Sequence, residues 1–152
     1  MSLSEHMTTS PVGDLTVIAS ETGVVAVEWR QGRMDDTRVL RQAIDELDAY
    51  FAAKRTEFSV LIDLQCSDFQ ASVCHAMSAI PFGETRTYGD LAKQLGVPAQ
   101  AIGQACGGNP IPIIIPCHRV LGANGLGGFS GDGGVETKVA LLKHEGAAGL
   151  LI

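Results

Sequence analysis

The most restrictive stretch of this chain is Gly107–Val120, which reads Gly-Gly-Asn-Pro-Ile-Pro-Ile-Ile-Ile-Pro-Cys-His-Arg-Val. Three prolines in an apolar segment exclude a helix, because each lacks an N–H and its ring clashes with the preceding turn. They exclude a regular central strand as well, since three ladder donors are missing. The segment is expected to be buried, rigid and extended, presenting Cys117 at a fixed place. The stretch that follows, Gly122–Gly134, holds seven glycines in thirteen residues. A loop of that composition has little side-chain bulk and approaches a ligand with its backbone.

The 152 residues suit one domain or two small lobes. Hydrophobic residues at 45% and charged residues at 18% exclude general disorder. A net charge of −6 argues, on its face, against nucleic acid or an anionic membrane as partner. The charge is uneven, with net −5 in residues 1–66 and net −1 in residues 67–152. Glycines divide the other way, 3 in the first part and 15 in the second. No apolar run approaches the ~18–20 residues of a membrane span. No basic-then-apolar leader opens the chain, so a cytoplasmic protein with no membrane partner is expected. The four cysteines form no C-x-x-C pair and are expected to be reduced.

Leu15–Ser20 and Val24–Trp29, separated by Glu21-Thr22-Gly23, read as a β-hairpin. Asp35–Arg55 reads as a helix capped at Asp36 or Thr37, with Leu40, Ile44, Leu47 and Phe51 as its apolar stripe. Asp36, Asp45, Glu46 and Asp48 are expected on its solvated face. Phe58–Leu64 reads as a strand. Residues 8–65 thus form an N-terminal α/β lobe, and residues 67–150 a second, mainly α domain. That domain opens with a helix capped at Ser67-Asp68, with Phe69, Val73, Met77 and Ile80 on one face. A helix ending at Gly96 and another over Ala99–Cys106 follow, on the plan of a helix-turn-helix. The second of these carries no Lys or Arg, which is poor for phosphate binding. Val135–Glu145 reads as the last helix, with Val139 and Leu142 inward.

A lone buried cysteine is usually an inert small hydrophobe, and Cys66 and Cys106 are read that way. Cys74-His75 is read as core or surface filling. Cys117 differs, because prolines fix its surroundings and His118 follows directly. A thiol is a good nucleophile once its proton is removed. Adjacent Cys and His would also suit zinc, but no second ligand pair has standard spacing, so no metal and no cofactor are expected.

The run Pro116-Cys117-His118-Arg119-Val120, after Gly108-Asn109-Pro110-Ile111-Pro112, resembles the O6-alkylguanine–DNA alkyltransferase family. The match extends to Phe82-Gly83-Glu84-Thr85-Arg86-Thr87-Tyr88-Gly89 and to Leu141-Leu142-Lys143-His144-Glu145-Gly146. The resemblance implies a ribonuclease H-like α/β lobe followed by a mainly α lobe with a winged-helix-like helix-turn-helix. It implies a monomer that binds double-stranded DNA carrying O6-alkylguanine, with O4-alkylthymine as a second candidate substrate. The alkyl group would move irreversibly to Cys117, once per molecule. By the same resemblance His118 acts through a water as base, Glu145 orients it, and Tyr88 donates to guanine N3. Val120 and Ser130 would hold the flipped base, Asn109 would pin the bend before the cysteine segment, and Lys138 would lie near the site. DNA contacts would come from Thr87, Ala99, Gln100 and Arg119, although an arginine that follows a buried motif is as often a structural ion-pair partner.

Two positions depart from the family pattern. Gln100 stands where an arginine usually fills the gap left by the flipped base, and it lacks the charge and planar stacking of guanidinium. Phe129 stands where an aromatic hydroxyl is usual. Two other functions fit parts of the chain. A sensor of the same fold binds alkylguanine without transfer, but such members lack the cysteine present here. A cysteine hydrolase using Cys117 and His118 would need an oxyanion hole, which the glycine loop could supply.

Overall fold

The computed structural model describes residues 2–129, 131 and 133–149. The chain divides into two compact units, Met1–Gln65 and Cys66–Ile152.

In the first unit, β1 (Ser4–Thr8), β2 (Leu15–Ala19) and β3 (Val24–Glu28) form an antiparallel sheet in the order β1-β2-β3. The expected hairpin is β2–β3. Strand β1 begins ahead of residue 8, where the sequence pattern placed the start of the lobe, and it pairs from Ser4↔Ala19 to Thr8↔Leu15. Its alternation is hidden because all five of its residues are half-buried. Helix α1 (Arg38–Phe51) packs on this sheet through Leu40, Ala43, Ile44, Leu47 and Tyr50. Thr37 is its cap, accepting from the Leu40 N–H at 3.2 Å. The helix is shorter at both ends than the expected Asp35–Arg55.

Two expectations fail in this unit for one reason. Glu46 is not on a solvated face; it is buried at 6% exposure. Phe58–Leu64 is not a strand, and makes a single parallel bridge, Val24↔Ile62. The Glu46 carboxylate takes the N–H groups of Ser59 (2.9 Å) and Val60 (3.1 Å), which a strand would offer to a neighbour. A side-chain acceptor has replaced a ladder, which residue propensities do not reveal.

The second unit contains α2 (Asp68–Ser78), β4 (Arg86–Thr87), α3 (Tyr88–Leu95), α4 (Ala99–Gly107), a 3-10 turn (Cys117–Arg119), β5 (Val120–Leu121) and α5 (Val135–Glu145). Strands β4 and β5 pair in parallel, a contact that two-residue strands give no pattern to foresee. Ser67 caps α2 as expected, but Phe69 points outward at 39% exposure and the buried face is Val73, Cys74, Ala76 and Met77.

Helix α3 starts with a capping box: Asp90 N–H donates to Thr87 Oγ1 at 3.0 Å, and Thr87 N–H donates to the Asp90 carboxylate at 2.9 Å. It stops at Gly96, whose φ of 69° is a left-handed conformation that glycine adopts without strain. Pro98 then precedes α4, which packs against α3, completing the helix-turn-helix. Ile102, Ala105 and Cys106 face inward from α4. Helix α5 buries Thr137, Lys138, Leu141, Leu142 and Glu145, while Val139 is half-buried.

Residues 111–120 are all buried, as expected, but the segment is not extended. Ile115 N–H reaches back to the Ile111 carbonyl at 2.9 Å, and Pro112 bridges Ile115. The reversal places Ile113 at φ 74°, rare for a β-branched residue. The prolines prevent both helix and ladder, and the chain resolves this by knotting into a buried turn.

Candidate active site

Asn109 ties the knot. Its Oδ1 accepts from the Ile111 N–H (3.0 Å), and its Nδ2 donates to the Ile115 carbonyl (2.9 Å). One amide therefore fixes both ends of the isoleucine turn, two residues ahead of the thiol. Cys117 opens the 3-10 turn, 5% exposed, at the wall of a cavity of about 420 Å³. Tyr88, Gly103, Cys106, Gly107, Gly128 and Phe129 line that cavity with it. The volume lies within the range of small-molecule sites.

Burial pushes the Cys117 thiol above its ordinary value, opposed by the Asn109 hydrogen bond and the Lys138 charge. The resting thiol is thus protonated, and a base is needed. His118 is next in the chain and fully buried. Its Nε2 lies 2.7 Å from Glu145 Oε2. Burial lowers the histidine's pKa, against the opposing pull of Glu145, so the ring is held neutral. Among the described residues, its Nδ1 has no hydrogen-bond partner. A neutral ring whose Nε2–H donates to a carboxylate has its lone pair on Nδ1. That is the arrangement of a base oriented by an acid.

Lys138 is fully buried, and its ammonium donates to the carbonyls of Val120 (2.7 Å) and Gly128 (3.0 Å). It lies 5.8 Å from the centre of the Tyr88 ring. Burial lowers its pKa, opposed by the neighbouring cysteines. This lysine joins β5 to the glycine loop. Tyr88 has its pKa raised, first by burial, with the Gly128 backbone opposing the shift. It therefore remains a phenol with a proton to give. Gly127, at φ 73°, lies so close that a Cβ there would come within 2.9 Å of the Tyr88 ring. The glycine loop thus approaches the tyrosine with its backbone.

The structure brings Cys117, His118, Glu145, Asn109, Lys138 and Tyr88 into one connected cluster. Val120 belongs to it through its carbonyl, since its side chain is fully buried and does not line the cavity. Ser130 lies outside the described residues. Ala99 and Gln100 are exposed on the first turn of α4. Thr87 is half-buried, its hydroxyl oxygen taken by the α3 cap.

Arg119 does not fit a DNA contact. It is 6% exposed, with Nε and Nη2 on Glu145 at 2.8 and 3.0 Å and Nη1 on the Ile80 carbonyl at 2.7 Å. A long cation beside a buried carboxylate is drawn to it rather than outward. Sequence reasoning also passed over Cys106, Gly103 and Gly107, which line the cavity. Their signal is spacing alone: three and four residues apart on one helix, they share a face. Cys66 is exposed, not a core thiol.

Among the described residues, no group of three or more His, Cys, Asp or Glu could hold a metal ion, and no helix is long and apolar enough to cross a membrane.

Comparison with known proteins covers both units. The model of the 6-O-methylguanine DNA methyltransferase ribonuclease-like domain matches residues 3–64, and that of the DNA binding domain of the same family matches residues 68–147. A methylated-DNA–protein-cysteine methyltransferase of Mycobacterium bovis is 43% identical over 147 residues, covering 90% of this chain and 88% of the relative. The protein of that name from Methanosarcina acetivorans is 40% identical, covering 91% and 95%. A solved structure of the Mycobacterium tuberculosis protein in complex with DNA is 41% identical, covers 93% of this chain and 92% of that one, and superposes with a TM-score of 0.82. With both units matched, and with a buried cysteine, a neutral histidine and a carboxylate gathered behind one cavity, the chain belongs to the 6-O-methylguanine DNA methyltransferase family.

Proposed function

We propose that this protein repairs DNA by moving an alkyl group from O6 of guanine to the sulfur of Cys117, once per molecule. The observation that carries the reading is Cys117 at the wall of a cavity, beside a histidine that is neutral, oriented by Glu145 and, among the described residues, unpartnered at Nδ1.

The reaction is a displacement at an sp³ carbon. The thiol proton passes by way of a water to His118 Nδ1, the Sγ–C bond forms, and the C–O6 bond breaks. The departing guanine takes a proton from the Tyr88 phenol as charge develops on its ring. Burial supports this step, since it keeps Tyr88 protonated. The thioether product has no ready leaving path, so the protein is consumed. Lys138, holding Val120 and Gly128, braces the loop over the cavity, and Asn109 sets the sulfur's position.

The substrate is double-stranded DNA, and the alkylated base leaves the stack to reach the cavity. Helix α4 carries the exposed Ala99 and Gln100 toward the duplex, and the cavity opens along the same helix at Gly103 and Gly107. The acceptor suits a reducing cytoplasm, where thiols stay free, and the site is built within one copy of the chain.

The test is intact-mass measurement after incubation with duplex DNA carrying O6-methylguanine. The expected result is one methyl group per molecule, located on Cys117. Tight binding with no mass gain would indicate a sensor, and repeated turnover of an ester would indicate a hydrolase.

A further inference from the structure

We propose that Arg119 is a positioning residue for the transfer: its guanidinium fork fixes the Glu145 carboxylate as an acceptor and so keeps His118 in the tautomer that leaves Nδ1 free to take a proton. The inference rests on the reading of Cys117 and His118 given above.

The geometry is closed on three sides. Arg119 Nε donates to Glu145 Oε1 at 2.8 Å and Nη2 donates to Oε2 at 3.0 Å, a two-pronged pairing that a lysine cannot reproduce. Nη1 donates to the Ile80 carbonyl at 2.7 Å, which fixes the plane of the fork. The Phe82 ring lies 5.9 Å from the guanidinium carbon. Both carboxylate oxygens are thereby turned toward donors. The hydrogen in the 2.7 Å contact between Oε2 and His118 Nε2 must then belong to the ring. In a neutral imidazole one nitrogen donates and the other accepts, so Nδ1 carries the lone pair. The opposite tautomer would bury an Nδ1–H where no partner stands among the described residues.

The charges nearby act in the same direction. Arg119 in the 3-10 turn and Lys138 on α5 both disfavour a second proton on His118, against Glu145, which favours it. Cys117 is the titratable neighbour on the turn itself. An arginine following Cys-His thus has an inward task, two bonds removed from the reacting atoms.

Histidine ¹⁵N resonances of the unalkylated full chain, between about pH 6 and 8, read this directly. The His118 signal is assigned by its absence in His118→Gln. The expected pattern is a protonated Nε2 and an unprotonated Nδ1. Arg119→Lys should mix the two tautomers and slow transfer from free O6-benzylguanine by roughly tenfold or more. Arg119→Met should do the same and move the acid limb of the rate profile to higher pH, because a cation beside the imidazole is gone. Arg119→Lys combined with Glu145→Gln should be no slower than Glu145→Gln alone. An Nδ1–H tautomer in the unsubstituted protein would overturn the inference, and so would an unmixed tautomer in Arg119→Lys. Should the Arg119 variants fail to fold, Glu145→Gln must itself mix the tautomers, or the inference falls. If the unsubstituted chain takes no alkyl group from any alkylguanine, the proposed function falls while the resonances still decide the role of Arg119.

Discussion

Each unit of this protein buries a glutamate on a helix, and the two are used differently. In the first unit Glu46 accepts from the Ser59 and Val60 N–H groups, the Ser59 hydroxyl, the Gln42 amide and Arg55. Burial raises its pKa, the hydrogen bonds lower it, and the hydrogen bonds prevail. Its partners are mostly groups that cannot titrate, and they anchor the chain after α1. In the second unit Glu145 meets Arg119 and His118. The second arrangement leaves a lone pair open on the far side of the imidazole. A buried carboxylate whose partners are backbone donors is a structural clip. One whose partner is an imidazole with a free nitrogen orients a base.

The comparison breaks most completely at the nucleophile. Cys117→Ala should abolish transfer, as read by intact mass, while leaving the fold and DNA binding nearly unchanged, because the thiol contributes little contact area. Stoichiometric alkylation of Cys106 in that variant would move the nucleophile to the other thiol in the cavity. Burial raises the pKa of Cys106 to about 12, so it should remain unmodified.

The paired substitutions Glu145→Gln and Glu46→Gln set the two clips against each other. Glu145→Gln should slow transfer about 100-fold, the ordinary scale of acid–base assistance. Glu46→Gln should leave the transfer rate alone and cost about 1–3 kcal/mol of stability, since an amide cannot accept from every donor around it. Equal losses of activity in the two variants would show that the units do not divide these roles.

Acid should separate the two sites without mutation. The unfolded His118 ring takes a proton below about pH 6.5, and the buried folded ring resists it. The unfolded state then binds the extra proton, so stability is lost as pH falls below that value, by at most about 1.4 kcal/mol per pH unit. Glu46 has its pKa lowered on folding, and its contribution is lost only at lower pH, from about 4.5 downward. Melting midpoints should therefore decline already between about pH 6.5 and 5, and His118→Gln should flatten that part of the curve. A curve unaffected by His118→Gln would show that the ring takes its proton equally readily in the folded and unfolded states.

The smallest effect is expected at Gln100. Its replacement by arginine adds stacking and a cation to a helix that has none, which should raise the transfer rate on duplex DNA severalfold. The rate on free O6-benzylguanine should barely change, since no base must leave a stack. An equal gain on both would place Gln100 at the cavity instead of the duplex.

The chemistry-bearing part of this protein was largely readable from residues in a row. Cys117 and His118 are adjacent, the prolines around them exclude the common elements, and Gly96 and Pro98 mark the break between α3 and α4. These signals are local, and local steric rules act on neighbours in the chain. What remained hidden depends on partners far along it. The clip between Glu46 and Ser59 turned an expected strand into a single bridge. The Asn109 knot turned an expected extended segment into a buried turn with Ile113 at positive φ. Arg119 suited a phosphate contact or an ion pair equally well until Glu145, 26 residues away, stood beside it. In each case a buried charge or a buried amide must be satisfied by whatever donors or acceptors the fold brings within about 3 Å, and no spacing in the sequence says which those are.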